Sequence, residues 1–229
     1  MRHTTKNNAV VLLSGGLDSS TTLYIAKKKH QKCSCLIFDY GQRHSCEVKS
    51  AQKIAHLVGC DYKIMKVRLP WGGSVLIGKS GKVPYNNYED IGSEIPSTYI
   101  PSRNTIFLGY AISFAEAIGA KKVFIGANAV DFSGYPDCRP EYYENFNKLI
   151  AVGTKSGDIK IEAPLLHKTK KEIVKLAVKL GVPLKLTWSC YSGGNKPCGK
   201  CDACVLRAKG FTLAGIKDPI GRVGRKVGR

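Results

Sequence analysis

The sequence predicts an α/β protein with a doubly wound, mostly parallel sheet of five strands and a C-terminal segment that binds zinc through four cysteines. Short β-branched runs alternate with stretches of helical periodicity, which is typical of a parallel sheet with helices on both faces. Of the nine cysteines, four crowd into the last 40 residues. A length of 229 residues allows one sizeable core with an appendage.

The first half of the chain predicts two βα units. Residues 9–13 read as a buried strand that leads into a helix over 19–29, and residues 35–40 read as the second strand. Apolar residues then recur at helical spacing and stop before Gly59, a residue that favours helix C-termini. These apolar residues are Ala51, Ile54, Ala55 and Val58.

The second half continues the alternation. Residues 64–67 predict the third strand, 105–118 an apolar helix, 123–126 the fourth strand and 159–161 the fifth. Two irregular stretches, 69–101 and 127–140, interrupt this pattern, and long irregular segments in compact domains are usually functional loops. In doubly wound sheets ligands bind beyond the carboxyl ends of strands, where the second stretch begins.

The first strand runs into the sequence Ser-Gly-Gly-Leu-Asp-Ser at residues 14–19, called the phosphate loop below. Amides at a helix start point at whatever lies there and favour phosphate, and glycines allow a close approach. Asp18 is able to hold magnesium. The alternative is a plain Gly-Gly turn with serine caps, and the loop lacks the lysine of a Walker motif.

A second phosphate signal lies at residues 169–172, Thr-Lys-Lys-Glu, which fit a helix capping box. Lys168, Lys170 and Lys171 crowd this helix start, which becomes favourable if an anion binds there. The alternative is a solvated lysine face that Glu172 compensates. An apolar stripe ending at Gly181 supports the helix itself; it consists of Ile173, Leu176, Ala177 and Leu180.

The cysteine cluster has seven, two and two residues between its members Cys190, Cys198, Cys201 and Cys204. Four thiolates without an open position predict a structural zinc. A [4Fe–4S] cluster is the competitor, although the usual Cys-Pro is absent, and a sulfur-transferring dithiol is a third possibility. We expect the other cysteines to be small buried hydrophobes; they are Cys33, Cys35, Cys46, Cys60 and Cys138.

The composition gives a net charge of +19, from 36 Lys plus Arg against 17 Asp plus Glu, which favours anionic partners. No apolar run approaches the ~20 residues that cross a bilayer, and the N-terminus lacks the pattern of a signal peptide. We therefore expect a cytoplasmic protein. The basic run at 221–229 predicts a disordered tail.

The phosphate loop resembles the PP-loop of the N-type ATP pyrophosphatases, which split ATP to AMP and pyrophosphate while adenylating a substrate oxygen. Residues 40–44, 100–104, 131–141 and 188–191 together resemble the 7-cyano-7-deazaguanine synthase family, which supplies the nitrile precursor of queuosine and archaeosine. The resemblance covers nearly the whole chain. Ser102 departs from it, because the family often has Gly or Ala there.

The resemblance implies a sheet of the adenine nucleotide alpha hydrolase-like type, a homodimer, and an enzyme that uses free ammonia. The implied substrate is 7-carboxy-7-deazaguanine, which is activated by ATP, converted to the amide, and activated again to give the nitrile. We expect a PP-loop domain over 1–186, a zinc-binding segment over 187–210, and a basic tail over 211–229. Zinc is the expected cofactor and magnesium accompanies ATP.

The expected site residues follow from the loop and from the resemblance. Catalysis is assigned to Asp18, Ser19, Arg103 and Lys170, with Arg103 and Lys170 neutralising developing charge. The predicted ATP contacts are Leu13, Ser14, Gly15, Gly16, Leu17, Asp18, Ser19, Ser20, Thr21, Thr22, Leu23 and Lys170. The predicted substrate contacts are Arg43, His44, Arg103, Asn104, Asp131, Tyr135, Asp137 and Arg139, and the zinc ligands are the four clustered cysteines.

Two other functions remain open at this point. A PP-loop tRNA thiolase or lysidine-type ligase would suit the charge, but the chain has no room for an RNA-binding module, so nucleic acid is not a required partner. A zinc-ribbon module that binds nucleic acid fits only the last 40 residues and gives the phosphate loop no function.

Overall fold

The protein, described by a computed structural model, is a five-stranded parallel sheet with helices on both faces. The structure describes residues 8–77, 81–86, 91, 94–130 and 134–221. The strands are β1 (Asn8–Leu12), β2 (Lys32–Asp39), β3 (Asp61–Lys66), β4 (Lys122–Phe124) and β5 (Lys160–Glu162). Their order in the sheet is β3-β2-β1-β4-β5. The chain therefore reverses its direction of winding between β1 and β4, the place where doubly wound sheets bind ligands.

Six helices connect and cover these strands within the described residues. They are α1 (Leu17–Lys29), α2 (Cys46–Leu57), α3 (Arg103–Ile118), α4 (Pro140–Gly153), α5 (Lys170–Leu180) and α6 (Asp202–Ala214). All five strands and the helices expected from periodicity are confirmed, with ends shifted by up to three residues. The capping box is also confirmed, because the Thr169 hydroxyl accepts from the backbone amide of Glu172 and the Glu172 carboxylate accepts from the amide of Thr169.

Alternate residues of β1 serve two separate hydrophobic layers. Val10 and Leu12 pack with α3 and α4, whereas Ala9 and Val11 pack with α1 and α2 on the opposite face. A third cluster joins α1, α5 and α6, with Phe211 of α6 buried in it. Because both faces are covered, the central strands are apolar throughout, as parallel sheets require.

Helices α4 and α6 were not anticipated from the sequence. Helix α6 begins directly after Cys201 and continues to Ala214, so it crosses residue 210, where we expected the zinc-binding segment to end. Asp218 beyond it forms an ion pair with the buried Arg207. Residues 211–221 are therefore structured, and 222–229, the rest of the expected tail, lie outside the described residues. In the described part of the chain, no helix is long and apolar enough to cross a membrane.

Candidate active site

A cavity of about 280 Å³ opens at the carboxyl ends of β1, β2 and β4. The phosphate loop, the segment after β2 and the first turns of α2 and α3 contribute to its wall, and Trp188 and Tyr191 from the C-terminal segment also line it. The cavity thus lies at the reversal point of the sheet, where the irregular stretch after β4 also begins. This agrees with the location that the strand order predicts for a ligand.

The phosphate loop turns sharply between β1 and α1. Gly15 has a φ of +80°, a conformation that favours glycine, and a Cβ there would lie 2.6 Å from the carbonyl oxygen of Glu47 in α2. Gly16 caps α1 without a side-chain hydrogen bond. The first amides of α1 are therefore available to an anion.

Two serines close the loop on itself. The Ser19 hydroxyl accepts from the backbone amide of Ser14 at 3.2 Å, and the two serine hydroxyls lie 2.9 Å apart. On the other side of the loop, a Cβ at Gly126 would lie 2.8 Å from the backbone nitrogen of Ser19. The end of β4 therefore fixes the start of α1 by direct backbone contact.

Asp18 and Lys170 bring the two predicted phosphate signals together. The Nζ of Lys170 donates to Oδ2 of Asp18 at 2.8 Å, and Lys170 is only 8% exposed. The other oxygen of Asp18, Oδ1, is buried and accepts no hydrogen bond from the described residues. A Cβ at Gly210 of α6 would lie 2.4 Å from Cγ of Lys170, so this glycine lets α6 pack against the lysine.

The predicted ATP contacts divide into two groups. Those that line the cavity are Leu13, Ser14, Gly16, Leu17, Asp18, Ser19 and Lys170. Gly15 and the residues of α1 from Ser20 to Leu23 do not line it, and these four residues of α1 are fully buried. All four are buried because α1 packs against the sheet on one side and against α5 on the other, and the Thr21 hydroxyl donates to the Leu17 carbonyl within the helix.

Arg103 lies at the start of α3, which covers the face of the sheet opposite to α1, and it also lines the cavity. Burial disfavours its charge, but Tyr40 and Asp137 hold the pKa of Arg103 above its ordinary value, so it remains a cation. The guanidinium stands 5.9 Å from the ring centre of Tyr40. No ion pair among the described residues includes Arg103. An anion in the cavity would complete this site.

Asp137 does not line the cavity but contacts the start of α3, which carries Arg103. Its Oδ2 accepts from the backbone amide of Asn104, while Nδ2 of Asn104 donates to the carbonyl of Asp137. The Tyr143 hydroxyl donates to the same carbonyl. Burial raises the pKa of the Asp137 carboxyl. Of the remaining predicted contacts, Arg139 is exposed and outside the cavity wall, and Asp131 lies outside the described residues.

Arg43, His44 and Tyr135, three of the predicted substrate contacts, line the cavity. Arg43 also holds the irregular stretch 69–101, because its Nη1 donates to the carbonyls of Val75 and Gly81. His44 stands edge-on to Trp188, and burial lowers the pKa of its imidazole, which favours the neutral ring. The Tyr135 hydroxyl lies 2.7 Å from that of Thr98.

Glu47 and Tyr191 also line the cavity, and sequence reasoning missed both as site residues. Glu47 lies in the first turn of α2. Burial raises the pKa of its carboxyl to about 7, with the charge of Arg103 acting in the opposite direction. The sequence carries no signal for Glu47, because a glutamate at this place in a helix is normally an exposed surface residue. Tyr191 lies in the stretch 188–191 that carries the family resemblance, and this could have identified it.

The four clustered cysteines fit a metal ion. Their Sγ atoms lie within 4.8 Å of one another, and those of Cys198 and Cys204 are 4.0 Å apart. Zn–S bonds of about 2.3 Å place tetrahedral sulfurs about 3.8 Å apart, close to this arrangement. Backbone amides of Lys200 and Cys201 donate to Sγ of Cys198, as suits a thiolate. The cluster therefore has the geometry and the donors that a bound metal ion requires.

The segment that carries this cluster contacts the phosphate loop directly. The backbone amide of Trp188 donates to the carbonyl of Gly15 at 2.9 Å. A Cβ at Gly193 would lie 2.7 Å from that of His44, and the Cys46 thiol donates to the carbonyl of Gly194. The cysteine centre thus stabilises one wall of the cavity.

Comparison with known proteins decides the family. The sequence model described as "Queuosine biosynthesis protein QueC" matches residues 8–215. The chain belongs to the QueC family. A relative within it, the 7-cyano-7-deazaguanine synthase of Thermoplasma acidophilum, is 50% identical over 94% of this chain and 92% of its own. That of Trichodesmium erythraeum is 48% identical over 93% and 99%.

Solved structures show the same fold at a greater distance. NMN synthetase from Francisella tularensis superposes with a TM-score of 0.50 and 18% identity, covering 93% of this chain and 79% of that one. The likeness concerns the arrangement of the sheet and its helices.

Proposed function

We propose that the protein converts 7-carboxy-7-deazaguanine and ammonia to 7-cyano-7-deazaguanine in an ATP-dependent ligase reaction that supplies queuosine or archaeosine synthesis. The observation that carries the proposal is one cavity with a phosphate loop at one end and, at the other, the partly buried cation Arg103, which no ion pair of the described residues includes. Such a cavity fits an activated carboxylate that bridges the two ends. The names of the relatives support the same reaction.

At the ATP end, the free amides at the start of α1 and the ammonium of Lys170 stabilise phosphate charge. Magnesium fits here, because Oδ1 of Asp18 is a buried carboxylate oxygen that accepts no hydrogen bond from the described part of the chain. When bound, magnesium would neutralise charge on the phosphates. Ser19 holds the loop closed around that charge through its bonds to Ser14.

At the substrate end, Arg103 binds and orients the carboxylate, a task for which a planar guanidinium is suited. Tyr40 and Tyr135 border the guanidinium and offer flat faces to a planar deazaguanine. Asp137 acts through Asn104 and keeps the start of α3 in place. Asp137 is therefore a positioning residue rather than a direct contact with the base.

The reaction proceeds in two activations. The carboxylate oxygen attacks the α-phosphate of ATP and releases pyrophosphate, and ammonia then displaces AMP from the acyl carbon to give the amide. A second ATP activates the amide oxygen in the same way, and loss of AMP with the nitrogen protons leaves the nitrile. The cavity serves both rounds because each joins an oxygen on the same carbon to the phosphate loop.

The cysteine centre holds zinc in this proposal, bound by Cys190, Cys198, Cys201 and Cys204. Its role is structural, since four thiolates leave no position for a substrate. We further propose that the protein works in the cytoplasm as a homodimer on small molecules, without a nucleic acid partner. A colourless protein with about one zinc per chain supports the metal assignment, whereas a brown protein absorbing near 400 nm contradicts it.

The test is incubation of the purified protein with ATP, magnesium, ammonium chloride and 7-carboxy-7-deazaguanine, followed by mass spectrometry. The expected product has the mass of the nitrile, and reactions without ammonium or ATP serve as controls. A protein that yields no amide or nitrile, but thiolates or ligates an added tRNA, would contradict the proposal.

A further inference from the structure

Asp18 and Glu47 are the two carboxylates among the described residues that line the cavity. Asp18 is committed to the ATP end through its bond to Lys170. Among the described residues, the carboxylate of Glu47 forms no ion pair and no hydrogen bond. The proposed binding of ATP and of the deazaguanine leaves this carboxylate without a function.

Glu47 contacts the phosphate loop and also interacts with Arg103. Its backbone carbonyl contacts the phosphate loop at Gly15, as the 2.6 Å approach to a Cβ there shows. Its carboxylate interacts electrostatically with Arg103 on α3, the residue assigned to the substrate carboxylate. An acyl-adenylate that contacts both Arg103 and the phosphate loop would therefore lie close to Glu47.

The amidation step needs a group of this kind. The nitrogen source at neutral pH is the ammonium ion, which has no lone pair and cannot attack carbon until it loses a proton. A carboxylate attracts the cation and accepts that proton. Nearby aromatic rings add to the attraction, because Tyr40 and Tyr191 both lie within electrostatic range of Glu47 and line the same cavity.

We propose that Glu47 binds the ammonium ion in the cavity and accepts its proton, acting as the catalytic base of the amidation. This inference rests on the proposed function. A proton moves from ammonium to the Glu47 carboxylate, and the freed lone pair forms the C–N bond. The C–O bond to AMP breaks with its electron pair on the phosphate oxygen, and the surplus nitrogen proton passes to solvent.

The surroundings of Glu47 favour proton exchange near neutral pH. Burial raises the pKa of its carboxyl to about 7, Arg103 opposes the rise, and Cys190 adds the smallest contribution. The other titratable groups within range are Tyr40, after β2, and Tyr191, in the C-terminal segment. A base with a pKa near the working pH is the efficient one, and it returns its proton to solvent between turnovers.

The test compares Glu47→Gln with wild type in two assays. The first is the exchange of labelled pyrophosphate into ATP that depends on 7-carboxy-7-deazaguanine, which needs no ammonium. The second is nitrile formation across a range of ammonium chloride concentrations. Glu144→Gln is the matched control, because this glutamate is exposed on α4 and lies outside the cavity wall.

We expect Glu47→Gln to keep the exchange within a few-fold of wild type while kcat/KM for ammonium falls about 100-fold or more. Hydroxylamine, a neutral nucleophile that needs no prior deprotonation, should restore hydroxamate formation to near the wild-type rate. Glu47→Asp, which retains a carboxylate, should recover part of the nitrile rate. Glu144→Gln should match wild type in every assay.

Unchanged nitrile formation in Glu47→Gln would overturn the inference, as would equal nitrile rates in Glu47→Asp and Glu47→Gln. Loss of exchange in both Glu47 variants would assign the residue to adenylation or to folding, and would also overturn it. A different result, absence of exchange in the wild-type protein, would contradict the proposed function itself. The two failures are therefore distinguishable.

Discussion

The two ends of the cavity differ in how far their charges are already paired. At the ATP end, Asp18 and Lys170 pair with each other, and the serines of the phosphate loop share a hydrogen bond. At the substrate end, Arg103 is a partly buried cation that no ion pair of the described residues includes. The ATP end is thus assembled before its ligand arrives, whereas the substrate end depends on its ligand to complete the charge balance.

The largest effect should come from removing the carboxylate of Asp18 at the ATP end. We expect Asp18→Ala to reduce pyrophosphate exchange about 10³-fold, because it deletes the proposed magnesium ligand and the partner of Lys170. The measurement is exchange at saturating ATP, with circular dichroism to show that the fold persists. Asp158→Ala, at an exposed ion pair with Lys121, is the control. Retained exchange in Asp18→Ala would contradict the assignment.

At the unpaired end, we expect Arg103→Met to raise KM for 7-carboxy-7-deazaguanine about 100-fold, because the carboxylate loses its charge partner. KM for ATP should change much less, since the phosphate loop is intact. Arg68→Met, at an exposed position outside the cavity wall, should leave both values unchanged. Equal losses for the two substrates would mean that the ends are not separate.

A smaller effect should follow from adding a side chain at Gly126, where the end of β4 contacts the phosphate loop. We expect Gly126→Ala to raise KM for ATP about tenfold and to lower the free energy of unfolding by about 1–3 kcal/mol, because the new Cβ would lie 2.8 Å from the Ser19 backbone. Urea unfolding and ATP titration measure the two quantities. Gly109→Ala has no atom within 4 Å of its Cβ and should stabilise α3 slightly.

The smallest effect concerns backbone strain beside Arg103. Ser102 has a φ of +52° and is the one non-glycine residue of the described chain in the left-handed region. We expect Ser102→Gly to raise the free energy of unfolding by about 1 kcal/mol, measured by urea unfolding, with little change in KM. Ser102→Ala keeps a Cβ and should bring no gain. A destabilised glycine variant would show that the serine is favoured for another reason.

The sequence predicted the strands and the phosphate loop because their signals are local. Residues 14–19 and the strand before them are contiguous, and the capping box at Thr169 spans four residues. The cavity wall is not local. Glu47 lines the cavity because α2 packs against Gly15. Asp137 does not line it, because its carboxylate bonds to Asn104 instead. Such placements depend on tertiary packing, which residue spacing does not encode.

The expected ATP contacts in α1 show the same limit within one helix. Residues 14–19, apart from Gly15, line the cavity, but Ser20 and the next three residues are buried between the sheet and α5. A sequence motif therefore predicts the position of a loop, but it does not predict which of the flanking residues contact the ligand. The unexpected extension of α6 past residue 210 likewise follows from Phe211 packing with α1 and α5.

The central claim is that the phosphate loop activates an oxygen of the substrate carboxylate. The most direct measurement uses 7-carboxy-7-deazaguanine labelled with ¹⁸O in both carboxyl oxygens and follows the label by mass spectrometry. We predict one ¹⁸O in each AMP formed, two AMP per nitrile, and no label in pyrophosphate. Label in inorganic phosphate with ADP as the product, or unlabelled AMP, would contradict the account.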